Sequence, residues 1–307
     1  FESTTNMAGN VGLTYAVALK APKLKGNKAS SGRLVQCTSS SSSTWTFDPK
    51  VDIDGWVTTQ LTKFNWTDWF LYNDEAPDRV TPESHGGHCK GILAWNDTTL
   101  GWMIHSVPKW PAVIGETIPL IPAAECEYGQ SFAWLTLPVS RRDDVLAQIR
   151  LMQAHAYCVH DSQGSFTYRE PHPRHAAPPP ARSFVVIQLS DVVSHVAKHS
   201  KWEKDLFQDG IVPLFGGAKW ETETWSRPHP HPTKDVTGVK MVSWAKPAIS
   251  YNNEQDHSKW AISLDKKKPW TYIGDINATS SQFHRGGGGV VIKDLNLWKA
   301  MSSLVSS

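Results

Sequence analysis

The chain of 307 residues is long enough for one large or two medium domains with a substantial core, and its formal charge of +2 excludes the global basic excess of a protein that coats nucleic acid. No apolar run approaches the roughly 18 residues that a membrane-spanning helix needs, and Phe1-Glu2-Ser3-Thr4-Thr5 carries no signal-peptide pattern, so the expectation is a soluble or already processed chain. The four cysteines show no metal-ligand spacing and allow at most two disulfides; the 13 histidines, if all protonated, would carry the formal charge to +15 and strengthen polyanion binding in acid.

Alternation predicts a strand from Val11 to Leu24, with Leu13, Tyr15, Val17 and Leu19 on one face. The weakly hydrophobic stretch from Lys25 to Ser43 reads as an exposed excursion. Trp66 to Tyr72 is an apolar run closed by the turn cluster Asn73-Asp74-Glu75-Ala76-Pro77. A hairpin follows between His85 and Pro111, turning at Asn96-Asp97. Helical spacing of Val145, Ile149, Met152 and Ala156 behind Ser140-Arg141-Arg142-Asp143 predicts a helix from about Arg141 to Cys158. Pro171 to Pro180 is too proline-rich for helix or central strand. Beyond it come a strand at Phe184 to Leu189, a helix from about Asp191 to Asp209, strands at Lys240 to Trp244 and Tyr251 to Leu264, and a closing helix from Asp294 to Leu304. Strands alternating with helices point to the α/β class.

Chemistry concentrates in two matching stretches. His88-Cys89-Lys90 and His257-Ser258-Lys259 are both His-x-Lys, and each runs into an apolar strand, Gly91 to Trp95 and Trp260 to Leu264. Histidine is a nucleophile or proton carrier near neutral pH, lysine is a fixed cation for phosphate oxygens, and alternation along a strand puts both on one face. The element 17 positions after each histidine also corresponds: His105-Ser106-Val107-Pro108 in the first copy and Gly274-Asp275-Ile276-Asn277 in the second. An offset of 169 places the start of a second unit near the proline-rich segment. The expected organisation is therefore a first half over 1–170, a linker over 171–182 and a second half over 183–307, with one composite site between the halves. His199-Ser200-Lys201 is a third His-x-Lys, but it is read as mid-helix, where positions i and i+2 diverge, and as structural. The 15 tryptophans include the basic-aromatic pairs Lys109-Trp110, Lys201-Trp202, Lys219-Trp220 and Lys259-Trp260, read first as buried strand aromatics and second as platforms for unpaired bases.

Gly87-His88-Cys89-Lys90-Gly91, His105-Ser106-Val107-Pro108, Glu127-Tyr128-Gly129-Gln130, Asp256-His257-Ser258-Lys259-Trp260, Ile273-Gly274-Asp275-Ile276-Asn277 and Arg285-Gly286-Gly287-Gly288 together resemble the deoxyribonuclease II family, as does Leu71-Tyr72-Asn73-Asp74 ahead of them. The wider pattern is similar to the phospholipase D superfamily. That resemblance implies two fused, pseudo-twofold-related α-β-α halves with the active site at their junction. It also implies a metal-independent acid endonuclease acting on DNA, with no cofactor, a phosphohistidine intermediate and 3′-phosphate products. His88, Lys90, His257 and Lys259 would be catalytic, with superfamily analogy placing the nucleophile at His88; His105, Ser106, Asp275, Asn277 and Arg285 would contact or position the phosphate, Arg285 with its glycine run through main-chain N–H groups. DNA is the expected partner, no membrane is expected, a homodimer is compatible with the likeness, and so is a secreted or processed protein. Departures from the pattern are the absence of an Asp seven positions after each histidine, where Trp95 and Leu264 stand, and the few cysteines, of which Cys126 alone matches the family. They point to a bacterial-type or divergent member.

Three other readings remain open from sequence. A lipid phosphodiesterase would use the same residues, and an inactive nucleic-acid-binding paralogue would keep them without turnover. Zinc could be held by His172 and His175 or by His229 and His231, though the interleaved prolines favour extended loops and no acidic third ligand stands at useful spacing.

Overall fold

A computed structural model describes residues 12–24, 31–42, 44–77, 81–82, 84–112, 120–162, 181–217, 219–225 and 233–305. The linker expected at 171–182, apart from 181 and 182, and the proline-flanked histidines lie outside them.

The chain is a mixed α/β protein dominated by two seven-stranded sheets. The first is built from β1 (Thr14–Lys20), β2 (Val35–Ser39), β3 (Asp68–Asn73), β4 (Lys90–Trp95), β5 (Thr99–His105), β6 (Gln130–Pro138) and β7 (Ala156–His160), in the order β2-β1-β6-β5-β4-β3-β7. The second uses β8 (Phe184–Gln188), β9 (Val193–Lys198), β10 (Trp220–Thr224), β11 (Val236–Gly238), β14 (Lys259–Ser263), β15 (Trp270–Gly274) and β16 (Gly287–Lys293). Its order, read from the β8 edge, is β8-β9-β16-β15-β14-β10-β11. A small hairpin of β12 (Met241–Trp244) and β13 (Ile249–Asn252) forms a separate two-stranded sheet. In both large sheets the strand that opens with a motif lysine, β4 or β14, pairs antiparallel with the next strand through the expected hairpin.

The sheets pack face to face. Trp102, Ile104 and Leu135 from the first share one buried cluster with Trp260, Ile273 and Val290 from the second. Full burial of side chains this size stabilises by about 1.5–3 kcal/mol each, so the interface between sheets is a principal source of stability. The outer faces are covered separately. The helix Ile53–Leu61, capped by Asp52 accepting from the Gly55 amide at 2.9 Å, buries Ile53, Trp56, Val57 and Leu61 against the first sheet. A single turn at Leu206–Ile211 buries Leu206, Phe207 and Ile211 against the second. The closing helix, Leu295–Ser302, packs Leu297 and Met301 into the shared core. No helix among the described residues is long and apolar enough to cross a membrane.

Five sequence expectations need correction. The helix expected to reach Cys158 spans Arg142–Leu151 without a side-chain cap; Gln153 takes a positive φ of 58° and ends it, and Ala156 already belongs to β7. The helix expected from Asp191 to Asp209 is instead a strand, β9, followed by short turns at Ser200–Trp202 and Leu206–Ile211. Ser190 makes a tight hairpin there, its hydroxyl accepting from the Val192 and Val193 amides, and pairing of β9 with β8 and β16 then wins over the helical reading. His199-Ser200-Lys201 accordingly sits in a turn rather than mid-helix, with the His199 ring accepting from the Lys201 amide. The excursion from Lys25 to Ser43 contains the edge strand β2, paired to β1. The strand expected from Tyr251 to Leu264 is broken at Asn253–Gln255 by a turn with a capping box.

Candidate active site

Each His-x-Lys triplet lies at the start of a central strand, and the main chain of each is tied to the opposite sheet's loop. Gly87 forms a parallel bridge with Gly286, and the His88 amide donates to the Gly286 carbonyl at 2.9 Å. Asp256 forms a parallel bridge with Gly129, and the His257 amide donates to the Gly129 carbonyl at 2.8 Å. The two locks occupy corresponding positions in the two motifs, and glycine is required in both loops. A Cβ on Gly286 would lie 2.0 Å from the Met152 carbonyl oxygen, and one on Gly129 would lie 2.4 Å from an Asp256 carboxylate oxygen.

The surroundings of the two histidines differ. Around His88 the groups are ionic. Asp74, buried, accepts from Lys90 Nζ at 2.5 Å, lies 3.4 Å from the Arg285 guanidinium and stands 4.0 Å from His88 Nε2. Burial pushes the Asp74 carboxyl up, but Lys90, His88 and Arg285 more than reverse this and hold it at about 2. Burial alone would lower Lys90, and Asp74 and Glu75 raise it instead, so that ammonium stays charged. Arg285 is anchored by donating to the carbonyls of Gly86 (3.1 Å) and Gly87 (2.7 Å).

Around His257 the groups are aromatic. Tyr128 stacks on its imidazole at 4.0 Å with the planes 8° apart, and Trp225 meets it edge-on at 5.1 Å. Burial, followed by the charges of Lys259, Lys90 and Lys20, depresses His257 to about 3. His88 is likewise held well below its ordinary value by burial, with Asp74 opposing and Lys90, Lys259 and Arg285 adding to the depression. Lys259, whose ammonium donates to the His257 carbonyl, falls to about 8 through burial and the nearby Lys90 charge. These mutual effects run from one triplet to the other: Lys90 acts on His257 and Lys259, and Lys259 on His88. The four residues expected to be catalytic form one electrostatic cluster with a surplus of positive charge, suited to an anion.

Asp275, Ser106, Asn277 and His105, the remaining expected residues, are all buried. Asp275 is buried and accepts from the Gly288 amide at 2.9 Å, and burial pushes its carboxyl to about 8 despite Lys90, so it is a neutral hydrogen-bonding group at pH 5–7. Ser106 is its positional counterpart: its hydroxyl accepts from the Ser131 amide at 2.9 Å and donates to Gln130 Oε1 at 2.5 Å. Ser131 in turn accepts from the Lys259 amide at 3.0 Å, which carries the support across to the second triplet. Asn277 is buried, with an Oδ1 that has no partner among the described residues. His105 is fully buried. Its ring packs edge-on to Trp110 and accepts from the Val107 amide at 3.2 Å, and burial with Lys90 lowers it to about 3. The glycine run does not offer a free cradle of amides, because Gly287, Gly288 and Gly289 are β16 residues paired to β9 and, at Gly289, to β15.

Sequence reasoning missed Asp74, Tyr128 and Trp225 as functional residues. Asp74 and Tyr128 stood inside recognised motifs, and strand register would have drawn attention to Trp225. Asn73 pairs with Lys90 and Thr224 with Lys259, so Asp74 and Trp225 are the next residues in matching registers. A further buried acid, Glu223, lies across the ladder from Trp260, with neither carboxyl oxygen bonded to a described residue. Burial, and then Asp256, push it well above its ordinary value, Lys259 opposing.

The chain is a mixed α/β protein that brings two His-x-Lys triplets, each tied to a loop of the other sheet, into one cluster. The family model described as Deoxyribonuclease II matches residues 13–307, and the chain belongs to the deoxyribonuclease II family. Similar proteins include cell-death-related nuclease 7 of Caenorhabditis elegans, 29% identical over 98% of this chain and 85% of that protein. A putative deoxyribonuclease-2 of Burkholderia thailandensis is 31% identical over 76% of this chain and 70% of its own length. Deoxyribonuclease-2-beta of mouse is 29% identical over 78% and 70% respectively.

Proposed function

We propose that this chain is an acid endonuclease that hydrolyses DNA phosphodiester bonds with its own side chains, through a phosphohistidine intermediate. The observation that carries the reading is the reciprocal main-chain lock, Gly87 on Gly286 and Asp256 on Gly129, which holds two His-x-Lys triplets in one cluster. We read the two sheets as halves related by a pseudo-twofold axis, with the site at their junction. The matching order of the five inner strands, β1-β6-β5-β4-β3 and β9-β16-β15-β14-β10, and the equivalent pairing of both triplets support that reading.

In the first step one imidazole attacks phosphorus and forms a P–N bond. The P–O5′ bond breaks, and the second imidazole, protonated, gives its proton to the departing oxygen. Water then attacks the phosphorus, its proton passes to the second imidazole, and the P–N bond breaks to leave a 3′-phosphate. In this reading Lys90 and Lys259 neutralise the non-bridging oxygens. The likeness to the superfamily assigns the attack to His88, and Asp74 near it can stabilise the positive charge that its ring acquires on bonding phosphorus. The cycle requires one neutral and one protonated imidazole. Both rings lie below the ordinary histidine value, so the singly protonated pair is populated only in acid, and an arriving phosphate anion raises both.

The test is cleavage of plasmid DNA at about pH 5 in excess chelator. Endonucleolytic nicking with 3′-phosphate ends supports the reading. Cleavage abolished by chelator would replace it with metal chemistry, faster turnover of a lipid phosphodiester would make the chain a phospholipase, and DNA binding without turnover would make it an inert binding module.

A further inference from the structure

Two buried lysines outside the His-x-Lys triplets hold the loops that shape the site. Lys20 is the last residue of β1 and Lys198 the last residue of β9, and neither has exposed surface. Among the described residues, every hydrogen bond of either ammonium goes to a main-chain carbonyl. Lys20 Nζ donates to Tyr128 (2.5 Å), Gly32 (2.9 Å), Ala21 (3.2 Å) and Cys126 (3.3 Å). Lys198 Nζ donates to Arg285 (2.6 Å), Gln282 (2.8 Å) and Phe283 (3.0 Å).

The two arrangements correspond. Lys20 pairs with Gln130, the first residue of β6, and Lys198 pairs with Gly287, the first residue of β16. Tyr128 and Arg285 lie two positions before those partners, and Cys126 and Phe283 lie four before them. In both sheets the recipient loop leaves a short 3-10 helix, Ala123–Cys126 or Ser280–His284, whose last carbonyls have no partner within the helix. A cation at that end satisfies those oxygens and the negative end of the helix dipole together.

Desolvation opposes this placement and lowers both ammoniums to about 8, with Asp256 partly opposing at Lys20 and Asp205 at Lys198, so a costly buried charge is retained at two matching positions. The loops explain why. One carries Tyr128 onto His257, and the other carries Arg285 to Asp74 and Gly87 beside His88.

We infer that Lys20 and Lys198 are positioning residues, each a covalently attached monovalent cation filling a carbonyl cage. The Lys20 cage sets the ring over His257, and the Lys198 cage sets the guanidinium beside His88. The inference rests on the proposed phosphodiesterase reading for its effect on turnover but not for its effect on loop geometry, which is measured separately.

The primary readout is the ring-current shift that stacked Tyr128 imposes on the His257 ring protons, followed by NMR in the uncleaved full chain. In Lys20→Met the upfield shift of His257 collapses, whereas in Lys198→Met it persists. Both variants lose at least tenfold in kcat on DNA, with KM within about twofold. If Lys20→Met does not fold, Lys20→Ala in n-propylammonium, which supplies the missing chain and charge, is measured instead. Return of the His257 shift and of thermal stability with n-propylammonium, and not with tetramethylammonium at equal ionic strength, supports the cage. An unchanged His257 shift in folded Lys20→Met, or no cation-selective recovery in Lys20→Ala, overturns it. Wild-type chain without DNA cleavage would overturn the proposed function alone, since the shift and the rescue do not depend on turnover.

Discussion

Asp74 and Trp225 stand at matching places in the two sheets, each following the residue that pairs with a motif lysine, yet one presents a carboxylate to His88 and the other an indole to His257. Tyr128 and Arg285 form a second mismatched pair, each in the loop locked to the opposite triplet. Two histidines on equivalent scaffolds are thereby given unequal electrostatics, which is what a reaction with distinct nucleophile and acid requires.

Replacing Asp74 with Asn tests the ionic side. The wild-type carboxyl is held at about 2, below its unfolded value, so its stabilisation is present above about pH 4 and is lost as pH falls through about 2. Asp74→Asn should lower unfolding free energy by about 2 kcal/mol at pH 5–7, and by more if Lys90 is left uncompensated. Denaturant titrations across pH should show the gap to wild type closing between about pH 4 and 2. On DNA, kcat should fall at least tenfold.

Division of labour between the histidines is separable by leaving group. His88→Ala and His257→Ala should each reduce DNA cleavage by about 10²–10⁴ or more while binding persists. A p-nitrophenyl phosphodiester, whose leaving group needs no proton, should still give a stoichiometric burst of p-nitrophenolate with His257→Ala but none with His88→Ala. The reverse pattern would exchange the two roles.

Tyr128 contributes a face rather than its hydroxyl in the contact with His257. Tyr128→Phe should therefore retain activity within about twofold. Tyr128→Ala should lose about 3- to 10-fold in kcat, the equivalent of the roughly 0.5–1.5 kcal/mol of an aromatic pair. Equal losses in the two variants would assign the role to the hydroxyl instead.

Glu223, taken alone, contributes stability that is greater in acid. Its carboxyl is raised in the folded chain, so below its unfolded value it has no differential effect, and destabilisation accumulates as pH rises toward the folded value. Glu223→Gln removes that penalty. Its Tm should match wild type near pH 4 and exceed it by at least about 2 °C at pH 7.5. A constant difference across this range would show that the carboxyl does not hold its proton on folding.

Much of the site was legible because His-x-Lys at the head of an apolar run, twice, with a matched element 17 positions on, encodes local geometry. Hairpins β4–β5 and β14–β15 followed from the same pattern. The contacts that tell the two histidines apart were not legible, because Asp74 reaches His88 only through the pairing of β3 with β4. Trp225 has no basic neighbour and fell outside the basic-aromatic pairs; of the tryptophans in those pairs, Trp110, Trp220 and Trp260 are buried. β9 was read as helix because Val192, Val196 and His199 also approximate a helical stripe, and the hairpin turn at Ser190 decided the matter. The glycine run was read as a phosphate cradle, whereas its small size serves close packing: a Cβ on Gly288 would lie 2.0 Å from the Val196 carbonyl oxygen.

The crossed locks at Gly87–Gly286 and Gly129–Asp256 also decide how the protein can be divided. Every described strand of the first sheet ends by His160 and every one of the second begins at or after Phe184, yet each histidine takes its main-chain partner from the other piece. A protease cut between those two residues should leave a nicked but active molecule, whereas either fragment expressed alone should be inert. Mixing the fragments should restore cleavage only as fast as they find one another, with a concentration dependence that the intact chain lacks.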